Sequence, residues 1–248
     1  MPRPMQLRTV GACALALCLT LALAASASAT TATLRVVGTG NKVISESLVK
    51  SKNISVKTSK KATCFGSGTG GSGKSVALKG NTALGLLANG AKAIPALSPL
   101  SITDSFSFGL GLCGVGKSAV KQGSKSSWYL KINHKGATVG GEKAKIKGGD
   151  EVLWDLASSY PYPEELVVSA PTQASAGVPF AVHVYAYDEK GKSKPVKGAT
   201  VTGATGPTDS SGKAMITLTE PTSLVAGLGK DIPSAKVPVC LGTACPAS

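Results

Sequence analysis

The chain has 248 residues, with 27 Lys and Arg against 13 Asp and Glu, a formal net charge of +14, and only 4% aromatics. That length accommodates one large domain or two small ones. Beyond an N-terminal apolar run, no stretch reaches the roughly 20 residues of a membrane-spanning helix, so a membrane span is not expected.

At the N-terminus, Arg3 and Arg8 precede an unbroken small-apolar run from Val10 to Ala25, and Ala27-Ser28-Ala29 follows. A basic flank, a short apolar centre and small residues at a cleavage point read as a secretory signal over residues 1–29. The chain is therefore expected to work outside the cell, where thiols oxidise. Residues 30–157 then hold 18 Lys and Arg against 6 Asp and Glu, whereas residues 158–248 hold 7 of each. Two readings of the basic half stay open: attraction to an anionic envelope polymer or glycan, or a lysine-covered, solvated surface. Arg35 is its only arginine and aromatic interleaving is absent, so nucleic acid is not expected as a partner.

Thr33–Val37 reads as a first strand closed by Gly38-Thr-Gly40, with weaker strands at Lys42–Lys50 and Ile54–Thr58. Asn81-Thr82 can cap a short helix with Leu84, Leu87, Ala88 and Ala91 on one face; Gly85 weakens it and Pro95 ends it. Pro99 to Asp104 reads as extended, before a glycine-dense stretch carrying Cys113. Trp128, Leu130 and Ile132 alternate with Tyr129, Lys131 and Asn133, the pattern of a half-buried strand. Ala144 and Ile146 alternate with lysines, Gly148-Gly149-Asp150 turns the chain, and Val152, Trp154 and Leu156 form the apolar face of a returning strand. Both tryptophans are in phase with the buried face and read as core before they read as a binding cage.

Tyr160-Pro-Tyr-Pro163 marks a stiff linker, placed at residues 158–165, between domains at 30–157 and 166–248. Beyond it, Glu165–Ala170, Phe180–Asp188, Ala199–Gly203, Ala214–Thr219 and Lys236–Val239 are strands at the spacing of a small antiparallel sandwich. With the signal set aside, Cys64, Cys113, Cys240 and Cys245 allow three pairings. Cys64–Cys113 and Cys240–Cys245 are favoured because each pair then lies within one domain. Zinc is not expected: no Cys-x-x-Cys pair occurs and His134 and His183 are isolated.

Two stretches carry family resemblances. Asn81-Thr-Ala-Leu-Gly-Leu-Leu87, Trp128-Tyr-Leu-Lys-Ile-Asn133 and Gly148-Gly-Asp-Glu-Val-Leu-Trp154 together resemble the secreted bacterial domain similar to the C-terminal domain of transcobalamin. The likeness covers residues 33–157. It implies an α+β, β-grasp-like fold with one helix against a mixed sheet, and binding of a soluble, corrinoid-like small cofactor. A ligand site on the aromatic strand would use Trp128, Tyr129 and Asn133. The stretch Gly177-Val-Pro-Phe, Gly198-Ala-Thr-Val201 and Thr208-Asp-Ser-Ser-Gly-Lys-Ala214 resembles bacterial immunoglobulin-like repeats, which implies an all-β supporting domain.

Gly68-Thr-Gly-Gly-Ser-Gly-Lys-Ser75 spells a phosphate-binding P-loop. Such a loop needs a buried strand before it and a helix after it. Here lysines precede it and Val76-Ala-Leu-Lys-Gly80 reads as a strand fragment, so no nucleotide is expected. No Gly-x-Ser-x-Gly elbow occurs, and the carboxylate pairs sit in turns. The expectation is a non-enzymatic interaction protein without a bound cofactor, its basic domain on an immunoglobulin-like support. A small-cofactor binder is the first alternative and a hydrolase a remote one; a concave pocket near the helix and the Trp128 strand would favour the binder.

Overall fold

A computed structural model describes residues 29–64 and 68–247. The signal read in residues 1–29 therefore lies outside the described residues, Ala29 excepted. In chain order the first half contains β1 (Thr30–Gly38), β2 (Lys42–Ser51), β3 (Ile54–Lys57), β4 (Ser75–Leu78), α1 (Ala83–Ala93), β5 (Leu100–Phe106), β6 (Gly109–Val115), β7 (Ser118–Ala119), β8 (Ser127–Ile132), β9 (Lys135–Gly136) and β10 (Glu151–Ala157). The main sheet has the order β2-β1-β10-β8-β9. Central β1 runs parallel to β10, and the other neighbours are antiparallel.

One face of this sheet is the expected core. Leu34 and Val36 from β1, Leu130 from β8, and Val152 and Trp154 from β10 pack with Leu84 and Leu87 of α1. The helix starts where Thr82 Oγ1 accepts the Gly85 amide at 3.2 Å, satisfying one of the donors that every helix N-terminus leaves open. Its glycines, costly by propensity, are there for contact. A Cβ on Gly85 would stand 2.0 Å from the Lys79 carbonyl, and one on Gly90 would stand 2.6 Å from Leu34. Both therefore let the helix lie close against its surroundings.

Two expectations about this half are corrected. The β8 strand is not half-buried: Tyr129 and Lys131, on the face opposite Leu130, are themselves buried. The second half of the chain covers that face. Residues 144–146 form no strand, and β10 pairs instead with β1 and β8. Ala144 belongs to a turn whose amide bonds the Gly140 carbonyl at 2.9 Å, and its own carbonyl accepts the Ala83 amide at 2.9 Å, so this segment braces the start of α1.

The second half comprises β11 (Glu165–Ser169), β12 (Gln173–Ala174), β13 (Phe180–Tyr187), β14 (Ser193–Pro195), β15 (Thr200–Val201), β16 (Lys213–Ile216), β17 (Thr222–Leu224), β18 (Ala226–Gly227) and β19 (Val237–Leu241). Its strands pair antiparallel except β12 with β19. Val182, Val184 and Ala186 of β13 point into a core with Leu166, Ile216, Leu224 and Val239. The Thr208–Ala214 turn is built as its residues suggest. Asp209 Oδ1 accepts the Ser211 and Lys213 amides at 2.8 and 3.0 Å, and Gly212 adopts φ 76° where a Cβ would meet the Val184 carbonyl at 2.5 Å. The chain is thus β-rich, with one α-helix among the described residues.

Both favoured disulfides are present, Cys64–Cys113 and Cys240–Cys245. The proline-rich segment is not a free spacer. Tyr162 stacks on Tyr129 with ring centres 4.1 Å apart, and Glu165, read both as the end of the linker and as the start of a strand, opens β11 as a buried residue.

Candidate functional site

A cavity of about 460 Å³ opens between the N-terminus of α1, the β5–β6 ribbon, β8 and the loop at 136–141. Both tryptophans of the chain, two of its four phenylalanines and two of its five tyrosines line it: Trp128, Trp154, Phe106, Phe108, Tyr129 and Tyr162. This size lies within the roughly 300–1,000 Å³ of small-molecule sites, which are mostly apolar with a few polar groups. The sequence builds the wall by alternation. Trp128 and Leu130 share one face of β8 and Trp154 is opposite Leu130 on β10, while Tyr129 joins the cavity from the other face. Phe106 and Phe108 stack with ring centres 4.9 Å apart, and Phe108 leaves 68% of its surface exposed at the rim.

Glycines bring the backbone onto these rings. A Cβ on Gly141 would stand 2.6 Å from the Trp154 ring, one on Gly111 2.6 Å from Phe106, and one on Gly136 2.5 Å from the Tyr129 hydroxyl. Trp128 Nε1, Trp154 Nε1 and the Tyr129 hydroxyl are buried in the wall without a hydrogen-bond partner among the described residues. Buried donors are ordinarily satisfied, so three orphans around one cavity mark it as unusual. Burial, and then the nearby Glu189 carboxylate, raise the Tyr129 hydroxyl above its ordinary range, so it stays neutral. The second half of the chain completes the wall: Glu189 lines the cavity, and its carbonyl accepts the Gly136 amide at 2.9 Å.

Of the three residues read from sequence, Trp128 and Tyr129 line the cavity and Asn133 does not. Asn133 and His134 both adopt positive φ, 50° and 66°, at the tight turn between β8 and β9. Asn133 Nδ2 donates to Asp150 at 3.0 Å and its Oδ1 accepts the Glu151 amide at 2.9 Å, so it ties the turn to the start of β10. Trp154, Phe106, Phe108 and Tyr162 were not read as site residues. Their only signal was aromatic identity in a chain poor in aromatics.

A second cluster joins the two halves of the chain. Glu165 accepts from the Arg35 guanidinium, stands 3.3 Å from Lys131 Nζ, and lies 3.2 Å from His134 Nδ1 without the alignment of a hydrogen bond. Arg35, Lys131 and Glu165 are all buried. Burial alone would raise the Glu165 carboxyl, but His134, Arg35 and Lys131 outweigh it and keep it low. Lys131 also donates to the Tyr187 carbonyl at 2.9 Å, yet burial pulls its ammonium below the usual range. Asp155, on the same sheet face, has no hydrogen-bond partner for either oxygen among the described residues, and burial pushes its carboxyl to about 7 against the pull of Arg35 and Lys131. Paired charges between strands β1 and β8 and the start of β11 fit a fastening role. Val37, Leu153, Tyr129 and Ile232 supply an apolar patch beside them.

The P-loop-like stretch forms no phosphate cradle among its described residues. Lys74-Ser75 enters strand β4 instead of a helix. Ser72 is pinned to Asp104 through its amide and hydroxyl at 2.7 and 2.6 Å, bonds that hold the Asp104 carboxyl below its usual range. Among the described residues no group of three or more His, Cys, Asp or Glu is arranged to hold a metal ion. No family model, curated protein or solved structure matches the chain, so the aromatic cavity stands on its own chemistry as the candidate site.

Proposed function

We propose that this is an exported, non-enzymatic binding protein that takes a small organic ligand into the aromatic cavity between its two domains. The observation that carries the reading is the convergence of six aromatic side chains, from a chain poor in them, on one cavity of about 460 Å³. Desolvating a ligand against such rings supplies affinity, and a glycine-rich rim lets backbone approach it. Two disulfides support export to an oxidising compartment. The order β2-β1-β10-β8-β9, with first and last long strands parallel at the centre and one helix on one face, supports a β-grasp-like first domain. The antiparallel pairing around the Val182 and Val184 core supports an immunoglobulin-like second one. The transcobalamin resemblance makes a corrinoid, or one arm of it, a ligand to include.

The uncharged probe N-phenyl-1-naphthylamine tests the cavity. Its emission should rise on binding and be excited through Trp128 and Trp154. Ala137→Leu, which places an isobutyl group on the lining, should reduce that signal. An unchanged probe, or a signal indifferent to Ala137→Leu, refutes the reading.

A second reading rests on a separate observation. Apart from Lys131, every lysine of residues 30–157 is exposed, and among the described residues none of these exposed lysines lies within ion-pair distance of a carboxylate. We infer that these exposed lysines can also attract an anionic polymer. Such binding should weaken steeply toward physiological salt, where screening acts over about 8 Å.

A further inference from the structure

We propose that the ligand of the aromatic cavity is an organic ammonium, a methylated cation of the choline type. The inference rests on the cavity being a binding site, and it comes from the charge of the lining. Residues 30–157 carry a threefold excess of basic over acidic side chains, 18 against 6. Among the described lining residues, however, none is Lys, Arg, His or Asp, and the one charged residue is Glu189. The basic half keeps its cations off this lining, and the charge-balanced second half contributes the lining's one acidic residue, Glu189.

The rest of the wall suits a cation that cannot donate hydrogen bonds. Ring faces carry negative quadrupole potential, and an ammonium within about 6 Å of a ring centre gains roughly 0.5–1 kcal/mol when exposed and about 2 or more when desolvated. Trp128, Trp154, Tyr129 and Tyr162 are the richest ring types for this purpose, and two of them come already stacked. The surrounding field has the same sign. After burial itself, the carboxylates that raise the Tyr129 hydroxyl are those of Glu189, Glu165 and Asp188. The two buried cations on that sheet face, Arg35 and Lys131, are both engaged by Glu165. Lys143, at the rim, is occupied by the Phe108 carbonyl at 3.0 Å. A neutral aromatic ligand would explain the rings but not the exclusion of lysine. An anionic ligand would be repelled by Glu189.

The test compares choline with 3,3-dimethylbutan-1-ol, its uncharged carbon isostere, by titration of the intact protein followed by tryptophan emission and calorimetry. Choline should bind at least about tenfold tighter than the isostere, the ratio expected from about 1.4 kcal/mol of cation–ring attraction. Glu189→Gln, an exposed and conservative change, should weaken choline several-fold while leaving the isostere and the melting temperature unmoved. Trp128→Leu should abolish the preference. Co-sedimentation with phosphatidylcholine vesicles, added to choline binding, assigns the ammonium to a lipid headgroup; choline binding without it assigns a free solute. Equal binding of the isostere, or probe binding with no response to choline, overturns this inference and leaves the cavity reading standing. Failure of probe, choline and isostere together removes both.

Discussion

Replacing Asp155 with Asn should stabilise the protein at neutral pH and do nothing at acid pH. Asp155 is 1% exposed, neither of its oxygens has a partner among the described residues, and burial moves its carboxyl from 3.8 to about 7. Between those values the unfolded chain holds the group ionised while the folded chain keeps it protonated. The folded state then binds more protons, so stability falls as pH rises through the window from about 4 to about 7. One pKa unit corresponds to about 1.36 kcal/mol, and the displacement from 3.8 to about 7 caps the loss at about 4 kcal/mol at pH 8. Asparagine keeps the shape and cannot ionise, so the variant escapes that loss. Urea unfolding at half-unit pH intervals, followed by tryptophan emission, should give coincident stabilities near pH 3.5 and a variant more stable by up to about 4 kcal/mol at pH 8. Every other ionisable group is common to the two proteins, so the difference between the curves isolates Asp155. Parallel curves across the range, or a variant less stable at pH 8, would refute the burial argument.

Glu165→Gln should have the opposite effect, because it leaves Arg35 and Lys131 buried without their shared carboxylate. Removing one partner of such a cluster costs about 3–5 kcal/mol, read as a lower urea midpoint at pH 7. The disulfides should contribute unequally. Serine at both Cys64 and Cys113, 49 residues apart, should cost about 4 kcal/mol in the loop-closure account. The same change at Cys240 and Cys245, separated by 5, should cost about 2 kcal/mol; thermal melts of the two double variants check the ranking. Gly141→Ala would place a methyl 2.6 Å from the Trp154 ring. Overpacking of this kind costs about 1–3 kcal/mol and should shift tryptophan emission as the ring moves; an unchanged spectrum and melt would show that the contact is soft.

Much of the local architecture follows from local residues. The strand read at Thr33–Val37, the Asn81-Thr82 cap with Pro95 beyond the helix, and the Thr208–Ala214 turn each depend on neighbours within a few positions. The observed elements sit there. The four cysteines likewise pair within their own halves of the chain. Periodicity failed where burial comes from a distant segment. Tyr129 and Lys131 alternate with apolar residues as solvent-facing side chains would, yet strand β11 and Ile232, far along the chain, cover that face. A lysine is legible as buried only when its carboxylate is known, and Glu165 is 34 positions away from Lys131. Residues 144–146 have a strand's alternation, but they brace the helix because β1 already occupies the free edge of β10. Asn133 is a turn residue whose partners, Asp150 and the Glu151 amide, come from another strand. The cavity shows the same limit most clearly. Sequence shows six scattered aromatic residues and one Glu, and only the packing of the helix, the strands and the second half of the chain around the main sheet brings them to one cavity, because side chains so far apart in the chain can meet only through tertiary structure.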